Sequence, residues 1–209
     1  LNLKKIINNK IINLRRIAKY IIIDFSNAKS LIVHLGMSGR LKITKIHIKK
    51  EKHDHIILKF NNNYQLLYND PRKFGFIDIT DTNKLNKKRY IINLGLDALS
   101  KKLDYKFLYA RISKSQVPIK QILLNQKIIA GIGNIYASEI LFDSKISPFI
   151  SGKELQISHI MQLILSIRKI LKKAIRFGGS SIRDYRNTDG TLGSFQSNFK
   201  VYGKEGQYI

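Results

Sequence analysis

The chain has 209 residues, with 38 Lys+Arg against 14 Asp+Glu, a formal charge of +24 and 44% hydrophobic residues. That balance excludes an acidic disordered chain and a charge-neutral enzyme surface, and the length suffices for two modest hydrophobic cores. There is no cysteine, so disulfides, cysteine-ligated zinc, iron–sulfur clusters and thiol nucleophiles are excluded within these residues.

Residues 1 to about 97 read as strands separated by turn residues. The β-branched and aromatic run 18–25 is expected as one strand and Leu31–Leu35 as a second, ended by Gly36-Met37-Ser38-Gly39. Further strands are expected at 40–44, 55–60, 65–69 and 74–79, with Asn61-Asn62-Asn63 as a hairpin turn. A meander of this kind suits an antiparallel β-sandwich. From about Leu103 the apolar period becomes helical, and this change of period sets the expected domain boundary near residue 97. Helices are expected at 119–124, 134–142 and about 153–176, the last stopped by Gly178-Gly179. The stretch 180–198 lacks periodicity and reads as a mobile loop. No apolar run reaches the roughly eighteen residues of a membrane span, and residues 1–5 lack the pattern of a secretory signal; a cytoplasmic location is expected. The sequence begins with Leu rather than Met and stops just after a Gly-rich turn signal, so both ends are expected to be cut.

A surplus of cations this large favours a polyanionic partner, nucleic acid before an anionic membrane, although the general Ile/Asn/Lys richness of the chain accounts for some lysines. Gly131-Ile132-Gly133-Asn134 places Asn134 in the first turn of a helix, where free N–H groups favour a phosphate oxygen; an Asn cap between packed helices is the ordinary alternative. In Asn69-Asp70-Pro71-Arg72-Lys73-Phe74-Gly75 a proline-fixed corner offers two cations and an aromatic ring able to wedge between bases, or simply a core Phe. Met37, between glycines, suits insertion into a base stack or filling of a core. Glu51-Lys52-His53-Asp54-His55 has metal-ligand residue types, but consecutive strand residues face opposite ways; a His53 beside Lys52 at a strand start is better placed to donate to phosphate, with a paired structural histidine as the alternative. Lys19, beside Arg15 and Arg16, is expected at the start of a buried strand, where like charges and burial lower a lysine pKa and favour amine chemistry; a solvated basic edge is the bland alternative.

Taken in order, Arg15-Arg16-x-Ala18-Lys19-Tyr20, His34-Leu35-Gly36-Met37-Ser38-Gly39, Glu51 to His55, Asp70-Pro71-Arg72-Lys73-Phe74-Gly75 and Gly131-x-Gly133-Asn134-Ile135-Tyr136-Ala137-Ser138-Glu139 resemble formamidopyrimidine-DNA glycosylase. The likeness continues through Gly178-Gly179-Ser180-Ser181 and Asp189-Gly190 to Val201-Tyr202-Gly203 and so spans nearly the whole chain. It implies an α+β protein, an N-terminal antiparallel β-sandwich (1–97) followed by a helix-two-turn-helix domain (98–209). It also implies base-excision repair of oxidised purines in duplex DNA, with base flipping, glycosidic cleavage and an AP lyase step. By the same resemblance Lys19 is catalytic, assisting β-elimination. Met37, Arg72 and Phe74 fill the gap left by the everted base. Lys19, His53, Arg72 and Asn134 contact the DNA backbone, and Lys114 is grouped with these DNA-binding residues. A loop at about 178–198, with Ser180, Ser181, Arg183 and Tyr185, caps the lesion. The expected partner is double-stranded DNA carrying an oxidised purine or abasic site, bound by a monomeric, nucleoid-associated chain.

The family's N-terminal Pro-Glu nucleophile pair has no match at Leu1-Asn2-Leu3, and its zinc finger would follow Ile209. Weak or absent excision is therefore expected of residues 1–209, with no cofactor in this chain, the family zinc belonging to the finger. The second hypothesis is a non-catalytic damaged-DNA-binding remnant. A general RNA- or ribosome-associated basic protein would explain the charge but not the ordered motifs.

Overall fold

The computed structural model describes residues 1–181 and 186–207. They form two compact units, Leu1–Lys88 with Phe177–Gln196, and Arg89–Arg176 with Ser197–Ile209.

The first unit holds seven strands: β1 (Ile11–Ile17), β2 (Tyr20–Phe25), β3 (Lys29–His34), β4 (Arg40–Lys45), β5 (Asp54–Lys59), β6 (Tyr64–Asn69) and β7 (Phe76–Asp81). They pair antiparallel in two sheets, β1-β2-β3-β7 and β4-β6-β5. The alternation of β-branched residues dictates the layering, because successive side chains face opposite sides of a strand. Ile23, Phe25, Leu31 and Val33 from the first sheet meet Leu41, Leu66 and Tyr68 from the second in one core. Burial of each such aliphatic side chain is worth roughly 1.5–3 kcal/mol.

β1 was not legible in the periodicity, since Asn13, Arg15 and Arg16 interrupt its apolar residues. It is an edge strand, and Arg15 reaches across to clasp the buried Asp24 carboxylate at 2.7 and 3.1 Å. Two expectations are corrected. Lys19 is not at the start of a strand but in the two-residue turn joining β1 to β2, exposed beside the buried Ala18 at φ 51°. Phe74 precedes β7 rather than opening it, because the chain there is held in a loop described below.

The second unit contains α1 (Arg89–Ile92), β8 (Leu96–Asp97), α2 (Tyr105–Ile112), α3 (Ile119–Leu124), β9 (Ile129–Ala130), α4 (Asn134–Asp143) and α5 (Ile157–Arg176). Its core side chains recur at helical spacing: Ile160, Leu163, Ile164, Ile167 and Ile170 on α5 are all buried. α5 starts at Ile157 rather than near 153 because Gly152–Glu154 form a separate 3-10 turn, with Ser151 and Glu154 in a reciprocal capping box. The short parallel pair β8-β9 gave no sequence signal.

The division between units falls at Lys88/Arg89 rather than at 97, and Phe177–Gln196 packs with the first unit although it follows the helices in sequence. This return is fixed by hydrogen bonds. Thr188 O accepts from Ile43 N on the edge strand β4 at 2.8 Å, Ser194 N donates to Phe177 O at 2.9 Å, and Phe195 N to Gly179 O at 3.0 Å. Gly178 and Gly179, at φ 69° and 83°, turn the chain out of α5. The described parts of the expected mobile loop are therefore held by a hydrogen-bonded stem.

Candidate nucleic-acid interface

In the first unit the site is organised by Asp70, which is 1% exposed at the end of β6. One carboxylate oxygen accepts from Ser38 Oγ at 2.6 Å; the other accepts from Gly75 N at 2.8 Å and Tyr68 Oη at 3.1 Å. Ser38 Oγ in turn accepts from Arg72 N at 3.2 Å. One buried group thus ties the 36–39 loop to the 70–75 loop. The approach is close: a Cβ on Gly36 would lie 2.6 Å from the backbone of Phe74 and Gly75, and Gly36 takes φ 62°. Burial alone would push the Asp70 carboxyl up, but the hydrogen bonds from Ser38, Gly75, Tyr68 and Arg72 outweigh it and hold the group below the usual carboxylate range. Burial, followed by the Asp70 carboxylate, pushes the Tyr68 phenol up.

On this frame Met37 is 69% and Phe74 57% exposed, and Arg72 is exposed with its guanidinium carbon 4.7 Å from the centroid of the Phe74 ring. Large apolar side chains held on tightly bonded loops and facing solvent are poor core residues. The structure therefore brings Met37, Arg72 and Phe74 onto two adjoining loops.

Lys19 lies in the hairpin turn, where desolvation by its surroundings lowers its ammonium below the usual lysine value even though the side chain reaches solvent. Its charge is felt by His34, whose ring burial, and then Lys19, pushes down. Gly36 N donates to His34 Nδ1 at 3.2 Å, which places the ring proton on Nε2. The ring also stacks with Phe76 at 5.6 Å and lies 5.0 Å from Tyr20. His34 thus joins the surroundings of Lys19 to the Met37 loop, a role the sequence motif contained but periodicity did not assign.

The His53–His55 segment is spent on structure. Asp54, 1% exposed, accepts from Asn69 Nδ2 and Glu51 N, both at 2.8 Å. His55 Nε2 donates to Asp70 O at 2.8 Å, and Asp70 N donates to His53 O at 3.1 Å. His53 therefore sits beside the Arg72 loop. No group of three or more metal-ligating side chains gathers among the described residues, and a chain without cysteine cannot supply a zinc finger's thiolates.

Ser180 bridges Ser194, while Ser181 N donates to Gln196 Oε1 at 3.0 Å and Ser181 Oγ accepts from Gly193 N at 2.8 Å. Both serines build the stem of the returning segment. Arg183 and Tyr185 lie outside the described residues.

In the second unit Gly133 caps α4 and Asn134 is its first residue, exposed. Gln126 shapes the preceding turn, donating to Ile132 O at 2.9 Å and accepting from Gly131 N at 2.8 Å. Lys114 is exposed in the turn after α2. Sequence reasoning missed Glu139, a buried carboxylate on α4 that accepts from the amides of Lys200, Val201 and Tyr202 at 2.9, 3.0 and 2.9 Å. Its signal was an acid in an otherwise apolar helical stripe. It fixes Tyr202 against a cavity of about 560 Å³ that Asn134, Ser138, Lys120 and Phe142 also line. Among the described residues no helix is long and apolar enough to cross a membrane.

A β-sandwich bearing these loops and a helical unit of this kind define a two-part DNA-glycosylase architecture. The family model "Formamidopyrimidine-DNA glycosylase N-terminal domain" matches residues 2–77, and "Formamidopyrimidine-DNA glycosylase H2TH domain" matches residues 94–186. The formamidopyrimidine-DNA glycosylase of Rickettsia canadensis (strain McKiel) is 43% identical over 203 residues, covering 97% of this chain and 74% of its own length. That of Zymomonas mobilis is 45% identical over 204 residues, covering 98% and 75%. The Lactococcus lactis Fpg structure with DNA containing an abasic site superposes with a TM-score of 0.90 at 37% identity, over 97% of this chain and 74% of that one. The L. lactis complex with Fapy-dG DNA gives 0.89 at 36%, over 98% and 74%. The chain belongs to the formamidopyrimidine-DNA glycosylase family, DNA glycosylases of base-excision repair.

Because the folded-state Asp70 value lies below its unfolded one, the stability it contributes is fully present above about pH 4 and is lost as pH falls through the folded value. Asp70→Asn is expected to cost about 1–3 kcal/mol at pH 7, as buried donors lose a charged acceptor. In urea unfolding the gap from the parent chain should narrow steadily below about pH 4. A gap that stays constant down to about pH 2, below the usual carboxylate range, would contradict this role.

Proposed function

We propose that this chain binds lesion-bearing duplex DNA and acts on abasic sites through AP lyase chemistry, the excision of oxidised purines being the activity of its base-excision repair family. The observation that carries the reading is the Asp70 frame. It fixes two loops so that a flexible apolar side chain, a guanidinium and an aromatic ring face solvent together. An everted nucleotide leaves an apolar slot in the base stack and an unpaired base opposite it. Met37 and Phe74 supply surface for the slot, and the five N–H donors of Arg72 can meet the orphaned base edge. The named L. lactis relatives hold abasic or Fapy-dG DNA, and the same ligand class is proposed here.

His53, Asn134 and Lys114 are proposed to contact phosphates, and the segment 180–195, with Ser180, Ser181, Arg183 and Tyr185, to cover the flipped base. Lys19 is proposed as the amine nearest the chemistry. Its unprotonated Nζ adds to the aldehyde carbon of a ring-opened abasic sugar, water leaves, and an imine forms. Loss of the neighbouring C2′ proton then expels the 3′ phosphate. A lowered ammonium pKa enlarges the amine fraction available at neutral pH. The proposed setting is a bacterial cytoplasm, on the nucleoid.

Anisotropy with duplexes carrying a tetrahydrofuran abasic analogue should show preference over undamaged DNA. Phe74→Ala should reduce that preference by about tenfold, the loss of one stacking platform, and Arg72→Ala should reduce it too. Equal binding of both duplexes by the parent chain would refute the reading.

Borohydride trapping on abasic DNA should give a covalent adduct that Lys19→Ala loses. Its yield should rise with pH through a midpoint below that of an ordinary lysine. An undiminished adduct in Lys19→Ala would remove this residue from the chemistry.

A further inference from the structure

Between β4 and β5 the chain reads Lys45-Ile46-His47-Ile48-Lys49-Lys50-Glu51-Lys52-His53. Residues 45 to 52 are all exposed. Composition bias alone would give a loose, solvated loop, and this segment is instead clamped at both ends by buried polar side chains. Gln65, 3% exposed on β6, spends its amide on the loop backbone, donating to Ile48 O at 2.9 Å and Lys45 O at 3.3 Å. Asp54 holds the far end through Glu51 N. Burying an amide and a carboxylate to fix a surface loop costs desolvation that only their hydrogen bonds offset, so the shape of the loop is specified.

Its charge is specified as well. The single acid, Glu51, is neutralised from behind by Lys42 Nζ at 2.5 Å and Arg40 Nη2 at 3.8 Å, both on β4. Among the described residues no ion pair engages Lys45, Lys49, Lys50 or Lys52. The arm also runs into the gap-filling loops, since the carbonyl of its last residue, His53, accepts from Asp70 N.

We propose that residues 45–53 form a preset basic arm that takes backbone phosphates of the duplex flanking the lesion, without regard to sequence or damage. The inference rests on the reading that the Arg72 loop faces DNA, and it extends that interface along one side. Four lysines on a held backbone lose less freedom on engaging a phosphate track than lysines on a slack loop. Each contact releases counterions, so the arm should govern non-specific affinity and its salt dependence while leaving lesion discrimination to Met37, Arg72 and Phe74.

The test uses the full chain and an undamaged 20-bp duplex, with anisotropy titrations across a KCl series. Lys49→Ala/Lys50→Ala should make the slope of log K against log salt shallower by about 1.8, at roughly 0.9 per phosphate contact. The ratio of abasic-analogue to undamaged affinity should stay at the parent value. Both side chains are exposed, so circular dichroism should show an unchanged fold, and Lys49→Glu/Lys50→Glu should deepen the loss. An unchanged slope in both double variants overturns the arm. If that happens while Arg72→Ala still lowers the abasic preference, the proposed function stands without the arm. If the slope falls but the parent shows no abasic preference, the arm stands and that reading fails.

Discussion

The first unit's candidate site depends on one buried carboxylate. Asp70 sits where the 36–39 and 70–75 loops meet at one end of the sandwich, and its three hydrogen bonds, with the Arg72 amide on Ser38 Oγ, join them into a single edge. A carboxylate in a dry environment is unfavourable unless it is saturated with donors, so the loops cannot separate without stranding it. This constraint explains why Ser38 is buried next to an exposed Met37, and why Gly36 and Gly75 stand where any side chain would strike backbone or the Tyr68 hydroxyl. It also holds the apolar groups in solvent, a preorganisation that would lower the ordering cost of the proposed insertion into DNA.

Glu139 repeats the device in the second unit. There too a buried acid accepts several donors, three consecutive backbone amides, and fixes a segment distant in sequence. In a chain of formal charge +24, acids of this kind are internal fasteners, and the cation surplus favours a polyanionic partner.

The motifs carrying glycine and proline were legible in the sequence because those residues mark turns whose positions depend on local backbone geometry. The corner at 70–75, the turn at 131–133 and the stop at Gly178-Gly179 were all found this way. The sandwich strands were legible where alternation was clean, and β1 was lost where Arg15 and Arg16 broke it. What was not legible is non-local. Ser38 lies 32 positions from its Asp70 partner, and nothing near Lys19 signals that it occupies a hairpin turn from which its charge reaches His34. The return of Phe177–Gln196 to the first unit depends on an edge-strand N–H at Ile43 finding Thr188 O, a contact no periodicity encodes. The resemblance assigned roles to single residues, and the structure shows the frame that holds Met37, Arg72 and Phe74 on two adjoining loops.

The most direct measurement is a crystal structure of the chain with a duplex containing a tetrahydrofuran abasic analogue. The account predicts Met37, Arg72 and Phe74 inside the vacated stack, with the Asp70 hydrogen bonds to Ser38 and Gly75 intact. A duplex bound with an undisturbed stack, or bound away from these two loops, would contradict it.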